Sequence, residues 1–186
     1  MVKKKDFTID RLIKDYMGYL STHGMEEENL REHWEWYQQK FPGASCRDYL
    51  LYIFNKLLVA IARDSPDLSH FYRYNDELYL QMTYFRRKWE GKKANDLLKL
   101  AYENRIEGMK HGFQKKFNIV FHAGKCCGYC DSNHLRELTL EEYEYNPLVG
   151  SDLCTSERGC SCVYTFKMLK DEKGDLIPLL PRRVSR

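Results

Sequence analysis

Six of the seven cysteines in this chain fall within 37 residues, at Cys126, Cys127, Cys130, Cys154, Cys160 and Cys162, and only Cys46 stands apart. A segment so rich in thiols is cross-linked either by disulfides or by a soft metal ion, and that choice constrains what it can fold into. The sequence opens MVKKKDF and passes directly into the amphipathic run IDRLIKDYMGYL, with neither the apolar core nor the small-residue cleavage site of a secretory signal. No stretch approaches the roughly 18 apolar residues of a membrane span. The expectation is a reducing, cytoplasmic setting, in which thiols stay free and clustered thiols bind metal.

The spacing agrees with a metal. Cys127-Gly-Tyr-Cys130 is a C-x2-C knuckle whose tight turn lets two thiolates face one ion, and Gly128 lends the turn backbone freedom. Cys160-Ser-Cys162 follows after 29 residues. If it lies on an extended strand, alternate side chains point the same way and both sulfurs reach one site. Four thiolates suit zinc by softness and by tetrahedral preference, so the expected ligands are Cys127, Cys130, Cys160 and Cys162 around a single structural Zn2+. Cys126 can replace Cys127 in a C-x3-C pair, and Cys154, His122 and His134 are spare donors. The competing reading, that these are buried free cysteines acting as small hydrophobes, fits six in so short a window poorly.

Upstream of the cysteines the pattern is helical. Ile9, Leu12, Ile13, Tyr16, Met17 and Leu20 form one apolar stripe, which Gly24 ends. A second helix is expected near 26–41, closed by Pro42-Gly43. A third opens at Ser45, where Asp48 completes a capping box, and breaks at Ser65-Pro66. A fourth is expected from an Asn75 cap to Trp89, and a fifth near 93–115. The character then changes. Phe117–Phe121 and Val163–Phe166 read as strands, Thr139-Leu-Glu-Glu142 as a capping box opening a brief helix, and Asp171–Asp175 as a hairpin turn. The fold class expected is mainly α: a helical domain over 1–116, a zinc-stapled α+β module over 117–177, and an extended basic tail over 178–186.

Local charge bears on the partner. Residues 126–160 carry two basic against seven acidic residues, a net of −5, the wrong sign for a direct phosphate reader. Residues 84–116 carry ten basic against four acidic residues, a net of +6, with Tyr84, Phe85, Trp89 and Tyr102 interleaved. Such a face can hold a nucleic-acid backbone weakly, through Arg86, Arg87, Lys88, Lys92 and Lys93. Solvated charge over a buried aromatic face accounts for it better, and docking on an acidic surface of another subunit also fits.

Enzyme signatures are missing or misplaced. His33-Trp-Glu35 has the H-x-E of zinc deaminases, but residue 126 is Cys rather than the Pro of P-C-x-x-C, and the separation exceeds 90 residues. Asn133-His134 lacks the companion residues of an HNH nuclease. No phosphate loop, nucleophile elbow or H-E-x-x-H is present. Four thiolates also leave no coordination position for an activated water, so a zinc-dependent enzyme ranks last.

The C-terminal third resembles one known pattern. Cys127-Gly-Tyr-Cys130, then Leu138-Thr-Leu-Glu-Glu142, then Gly159-Cys160-Ser-Cys162-Val-Tyr-Thr-Phe166 is similar in order and spacing to the end of minor head, or head-morphogenesis, proteins of tailed phages. The likeness covers about 60 residues. Ser132–Arg136 stands where that family commonly has Leu-Asp-Gly, and Glu157-Arg158-Gly159 replaces its His-Pro-Asn. The resemblance implies a metal-stabilised virion component near the portal or head interior. The function expected is a structural or assembly protein working through contacts with other subunits, with a nucleic-acid-binding accessory protein as the alternative and no membrane partner.

Overall fold

The computed structural model describes residues 6–125 and 127–179. The chain groups into two compact units divided between Ala60 and Ile61. No helix among the described residues is long and apolar enough to cross a membrane.

The first unit holds α1 (Ile9–Leu20), a 3-10 turn (Ser21–His23), α2 (Glu27–Lys40) and most of α3 (Cys46–Asp64). Thr8 caps α1, and Gly24 ends the turn in the left-handed conformation at φ +74°. The apolar stripe of α1 is buried through Leu12, Ile13, Tyr16 and Leu20, with Tyr16 edge-on to both Phe7 and Phe54. Arg31 of α2 ties the helices by pairing with Asp10 at 2.8 Å and Glu27 at 2.9 Å. Ser45 and Asp48 form the reciprocal cap expected at the start of α3. Tyr49 donates its hydroxyl to the Leu30 carbonyl at 3.0 Å. Its oxygen therefore accepts from His33 Nδ1 at 3.1 Å, which fixes that imidazole's tautomer. Burial, then the charge of Lys56, lowers the His33 pKa. His33 is thus a ring stacked among tyrosines, at 5.6 Å from Tyr49 and 5.8 Å from Tyr52.

The second unit holds α4 (Leu68–Phe85), a π-helical turn (Arg86–Glu90), α5 (Asn95–Phe113), β1 (Phe117–His122), α6 (Gly128–Ser132), β2 (Glu137–Leu138), α7 (Leu140–Tyr145) and β3 (Val163–Met168). Helix α4 starts seven residues before the expected Asn75. Asp67 accepts from the His70 amide at 2.9 Å and nucleates the helix there, which leaves Asn75 buried within it. Helices α4 and α5 cross closely where α5 lacks side chains. A Cβ at Gly108 would lie 3.5 Å from Tyr72, and one at Gly112 only 2.7 Å from the Ser69 hydroxyl. Between them Arg105 grips the buried Asp76 through two hydrogen bonds of 2.8 and 3.2 Å. Burial nevertheless raises the Asp76 pKa, the guanidinium offsetting it only in part.

The sheet is antiparallel in the order β2-β1-β3, with Ile119 opposite Leu138 on one side and Phe166 on the other. Alternate residues of β1, Phe117, Ile119 and Phe121, face inward. They share a core with Leu98, Tyr102 and Ile106 of α5. This is why the division falls near residue 60 rather than 116: α5 carries the apolar surface that covers the sheet. The hairpin turn at Asp171 forms as expected, with Asp171 Oδ1 accepting from the amides of Lys173 and Asp175. The chain then pairs with 114–116 through Ile177 and Leu179. Of the expected basic tail, residues 180–186 lie outside the described residues.

Tyr164 is the hub of this core. Its ring meets Tyr102, Tyr143 and Phe121 edge-on, and its oxygen accepts from the buried amides of Leu148 and Val149 at 2.6 and 2.9 Å. Tyr164→Phe keeps the ring but orphans both amides, so a loss of about 2–4 kcal/mol in denaturant unfolding is expected. A loss below about 0.5 kcal/mol would show that those amides do not depend on the hydroxyl.

Candidate metal centre

Five cysteines from three segments converge in the second unit. Cys127 sits in extended backbone at the N-cap of α6, and Cys130 lies inside that short helix. Cys154 follows a turn closed by its own amide on the Ser151 carbonyl, and Cys160 and Cys162 lie in the loop just before β3. The last pair is therefore not on a strand, as the alternation argument assumed.

The sulfurs form two groups that share one member. Cys127, Cys130 and Cys154 lie within 4.8 Å of one another, and so do Cys130, Cys160 and Cys162. The Cys127 sulfur is 3.5 Å from that of Cys130 and 3.8 Å from that of Cys154. A tetrahedral zinc with Zn–S near 2.3 Å has sulfur–sulfur edges of about 3.8 Å, so these separations fit such an ion. All five except Cys127 are buried. The soft, all-sulfur donor set suits zinc and other thiophilic ions and disfavours Mg2+ or Ca2+.

Backbone amides point at the sulfurs. Gly124 N–H donates to Cys162 Sγ at 3.3 Å. Cys127 accepts from the amides of Cys130 and Thr155, Cys154 from that of Ser156, and Cys160 from those of Gly150 and Cys162. Such donors favour the thiolate. At Cys127 burial raises the pKa, but the amides and neighbouring thiols outweigh it and bring it down to about 6. The Cys162 thiol, donating to Cys160, is the main reason that Cys160 falls to about 5. The same bond, with burial, pushes Cys162 up, and burial pushes Cys154 up to about 12. Thiolates and thiols thus share protons in one small basin, where a bound dication would allow the remaining protons to leave.

Helix α5 and the π-helical turn hold the cysteine loop from behind. Asn95 accepts from the Cys160 amide at 2.8 Å and donates to the Ser151 carbonyl at 3.5 Å, while Arg87 donates to the Cys160 carbonyl at 2.6 Å. Gly150 and Gly159 adopt φ of +73° and +85° where the loop touches Asn95, and a Cβ at Gly150 would lie 2.4 Å from the Asn95 carbonyl oxygen.

All four expected ligands lie in this cluster, and Cys154, named only as a spare, belongs to it as fully as they do. The two histidines do not join it. His134 accepts the Ala123 amide at 3.1 Å, and His122 bonds Thr165 at 2.8 Å. Cys126 lies outside the described residues. Cys46 is buried in the first unit, its thiol pushed up to about 12 by burial. The roles of Asn95 and Arg87 were not anticipated. Gly150 and Gly159, flanking a cysteine-rich loop, were the only local hint that something packs closely there. No family model matches the chain, and neither a curated protein nor a solved structure is significantly similar to it.

Proposed function

We propose that Cys127, Cys130, Cys160 and Cys162, with Cys154 in contact, hold one structural zinc ion, and that the chain is an assembly protein acting through contacts with other subunits. The convergence of five thiol groups from three chain segments carries the metal half of this reading. An all-sulfur, largely buried donor set leaves no position for substrate or an activated water, which favours a structural over a catalytic ion. The zinc staples residues 127–162, a loop-rich stretch whose own elements are no longer than six residues. The order of the C-x2-C, LTLEE and C-x-C motifs supports placing the assembly near a phage head or portal, in a reducing cell until packaging.

The side-chain pairing disfavours the alternative nucleic-acid face on 84–116. Seven of its ten basic side chains are engaged within the unit: Arg86 with Asp96, Arg87 with a carbonyl, Lys88 with the Tyr84 hydroxyl, Lys92 with Glu90, Lys99 with Glu103, Arg105 with Asp76, and Lys110 with Glu107 and Glu144.

Elemental analysis of protein purified without added metal is expected to give one zinc per chain, and a strong chelator to lower the melting of the second unit sharply. A ratio near zero with every cysteine titrating as a free thiol would refute the metal. Sedimentation velocity tests assembly: self-association or subunit binding that weakens with salt is expected, and a monomer that never enters large particles would count against it.

A further inference from the structure

Beside the metal centre lies a cleft of about 610 Å³. One wall is the end of the π-helical turn, with Arg87, Gly91 and Lys92. Another is Lys125, and the third is the loop Ser156–Ser161 between Cys154 and Cys162. Four cationic side chains, Arg87, Lys92, Lys125 and Arg158, line it against a single carboxylate, Glu157. Lys92 also reaches Glu90 at 3.7 Å. This is the reverse of the surrounding cysteine segment, whose net charge is −5. Arg158, one of only two basic residues in that segment, is placed at the cleft.

The walls are held closely. Ser161 donates its hydroxyl to the Gly124 carbonyl at 3.1 Å. A Cβ on Gly124 would come within 2.4 Å of the Ser161 carbonyl oxygen. Lys125 adopts a left-handed backbone at φ +53°, a conformation unfavourable for a non-glycine residue. The Arg87 guanidinium lies 3.5 Å from the point where a Gly159 side chain would begin, so that glycine leaves it room.

The chemistry of the lining selects the ligand. Charge and hydroxyl groups dominate, and no lining residue is aromatic or aliphatic, so neither a nucleobase nor an apolar group finds a surface to stack on. The volume falls in the range of small-molecule sites, about 300–1,000 Å³. We propose that the cleft between the π-helical turn and the cysteine loop binds an oligophosphate, gripping phosphoryl groups through Lys125 and Arg158, while Arg87 and Lys92, already paired within the unit, add positive charge to the opposite wall. The phosphoryl groups can come from a free oligophosphate or from a nucleic-acid backbone, and the lining favours the first. Because Cys154 and Cys162 bracket the 156–161 wall and Arg87 is bonded to the Cys160 carbonyl, the cleft and the thiol cluster share a scaffold.

Titration calorimetry of the zinc-loaded full chain with sodium tripolyphosphate, at about 150 mM salt, tests this. Binding is expected, weakening at least tenfold in Lys125→Glu/Arg158→Glu. Both positions are exposed, so the variant should keep its metal and its circular dichroism. If it does not, Lys92→Glu, exposed on another wall, takes its place with the same expectation. A single-stranded oligonucleotide is titrated in parallel. Oligonucleotide binding tighter than tripolyphosphate, and lost in the same variant, would assign the cleft to a nucleic-acid backbone and overturn the free-oligophosphate ligand. No binding up to about 1 mM, a free energy weaker than about −4.1 kcal/mol, would overturn the proposal, as would affinity unchanged in a folded variant.

Discussion

Cys130→Ser is expected to release the metal and unfold the C-terminal part of the second unit, whereas Cys154→Ser keeps one metal per chain. Cys130 is the one thiol common to both sulfur groups, and it is fully buried. Without it neither group retains three members. Without Cys154, the group of Cys130, Cys160 and Cys162 keeps its three sulfurs within 4.8 Å of one another, and Cys127 remains 3.5 Å from Cys130 as the fourth donor of the proposed set. Binding energy in a structural zinc site is also folding energy, so the loss for Cys130→Ser is on the order of 10 kcal/mol. Cys46→Ser is the control. It too is buried, but it stands in the other unit, so its cost is that of a buried hydroxyl, about 1–3 kcal/mol. Native mass spectrometry reads the stoichiometry and thermal melts read the stability. Metal retained by Cys130→Ser, or equal melting losses for Cys130→Ser and Cys46→Ser, would contradict the arrangement.

Gly150→Ala is expected to destabilise the second unit by about 2–5 kcal/mol, from a left-handed backbone penalty of about 1–2 and overpacking of about 1–3. The new methyl would lie 2.4 Å from the Asn95 carbonyl oxygen and 3.0 Å from the Lys99 amide, and neither is a flexible side-chain end that can swing away. The loop would have to lift from α5, taking with it the Gly150 amide that serves Cys160. Gly174→Ala separates the two contributions. Gly174 has a similar φ of +87° at the hairpin, but open space around it, so only the backbone penalty of about 1–2 kcal/mol is expected. Comparable losses for the two alanines would mean that the loop does not rest on the helix as described.

What the sequence revealed was what local chemistry decides. The α1 stripe, the Ser45–Asp48 and Thr139–Glu142 caps, and the Asp171 turn each depend on residues within a few positions of one another, and each formed. Helix α4 was misjudged because Asn75 is not its cap: Asp67, next to the break that ends α3, caps it first. The cysteine count announced a thiol cluster able to hold a metal, but spacing treats each motif as a closed pair. It does not reveal that Cys154 is brought beside Cys127 by a turn through Ser151, nor that Cys160 and Cys162 converge from a loop. The α5 contribution was hidden for the same reason: Asn95 meets Cys160 across 65 residues and Arg87 meets it across 73.

Those long separations set a timetable for the chain as it is made. At about 5–20 residues per second, Cys127 and Cys130 would leave the ribosome roughly 1.5–6 s before Cys160 and Cys162. For that interval the knuckle has only half a coordination shell, and Asn95 and Arg87 wait without the loop they later hold. The nascent protein would therefore display a reactive dithiol that its finished form conceals. Its yield should depend on how reducing, and how rich in thiophilic metal ions, its surroundings are during those seconds.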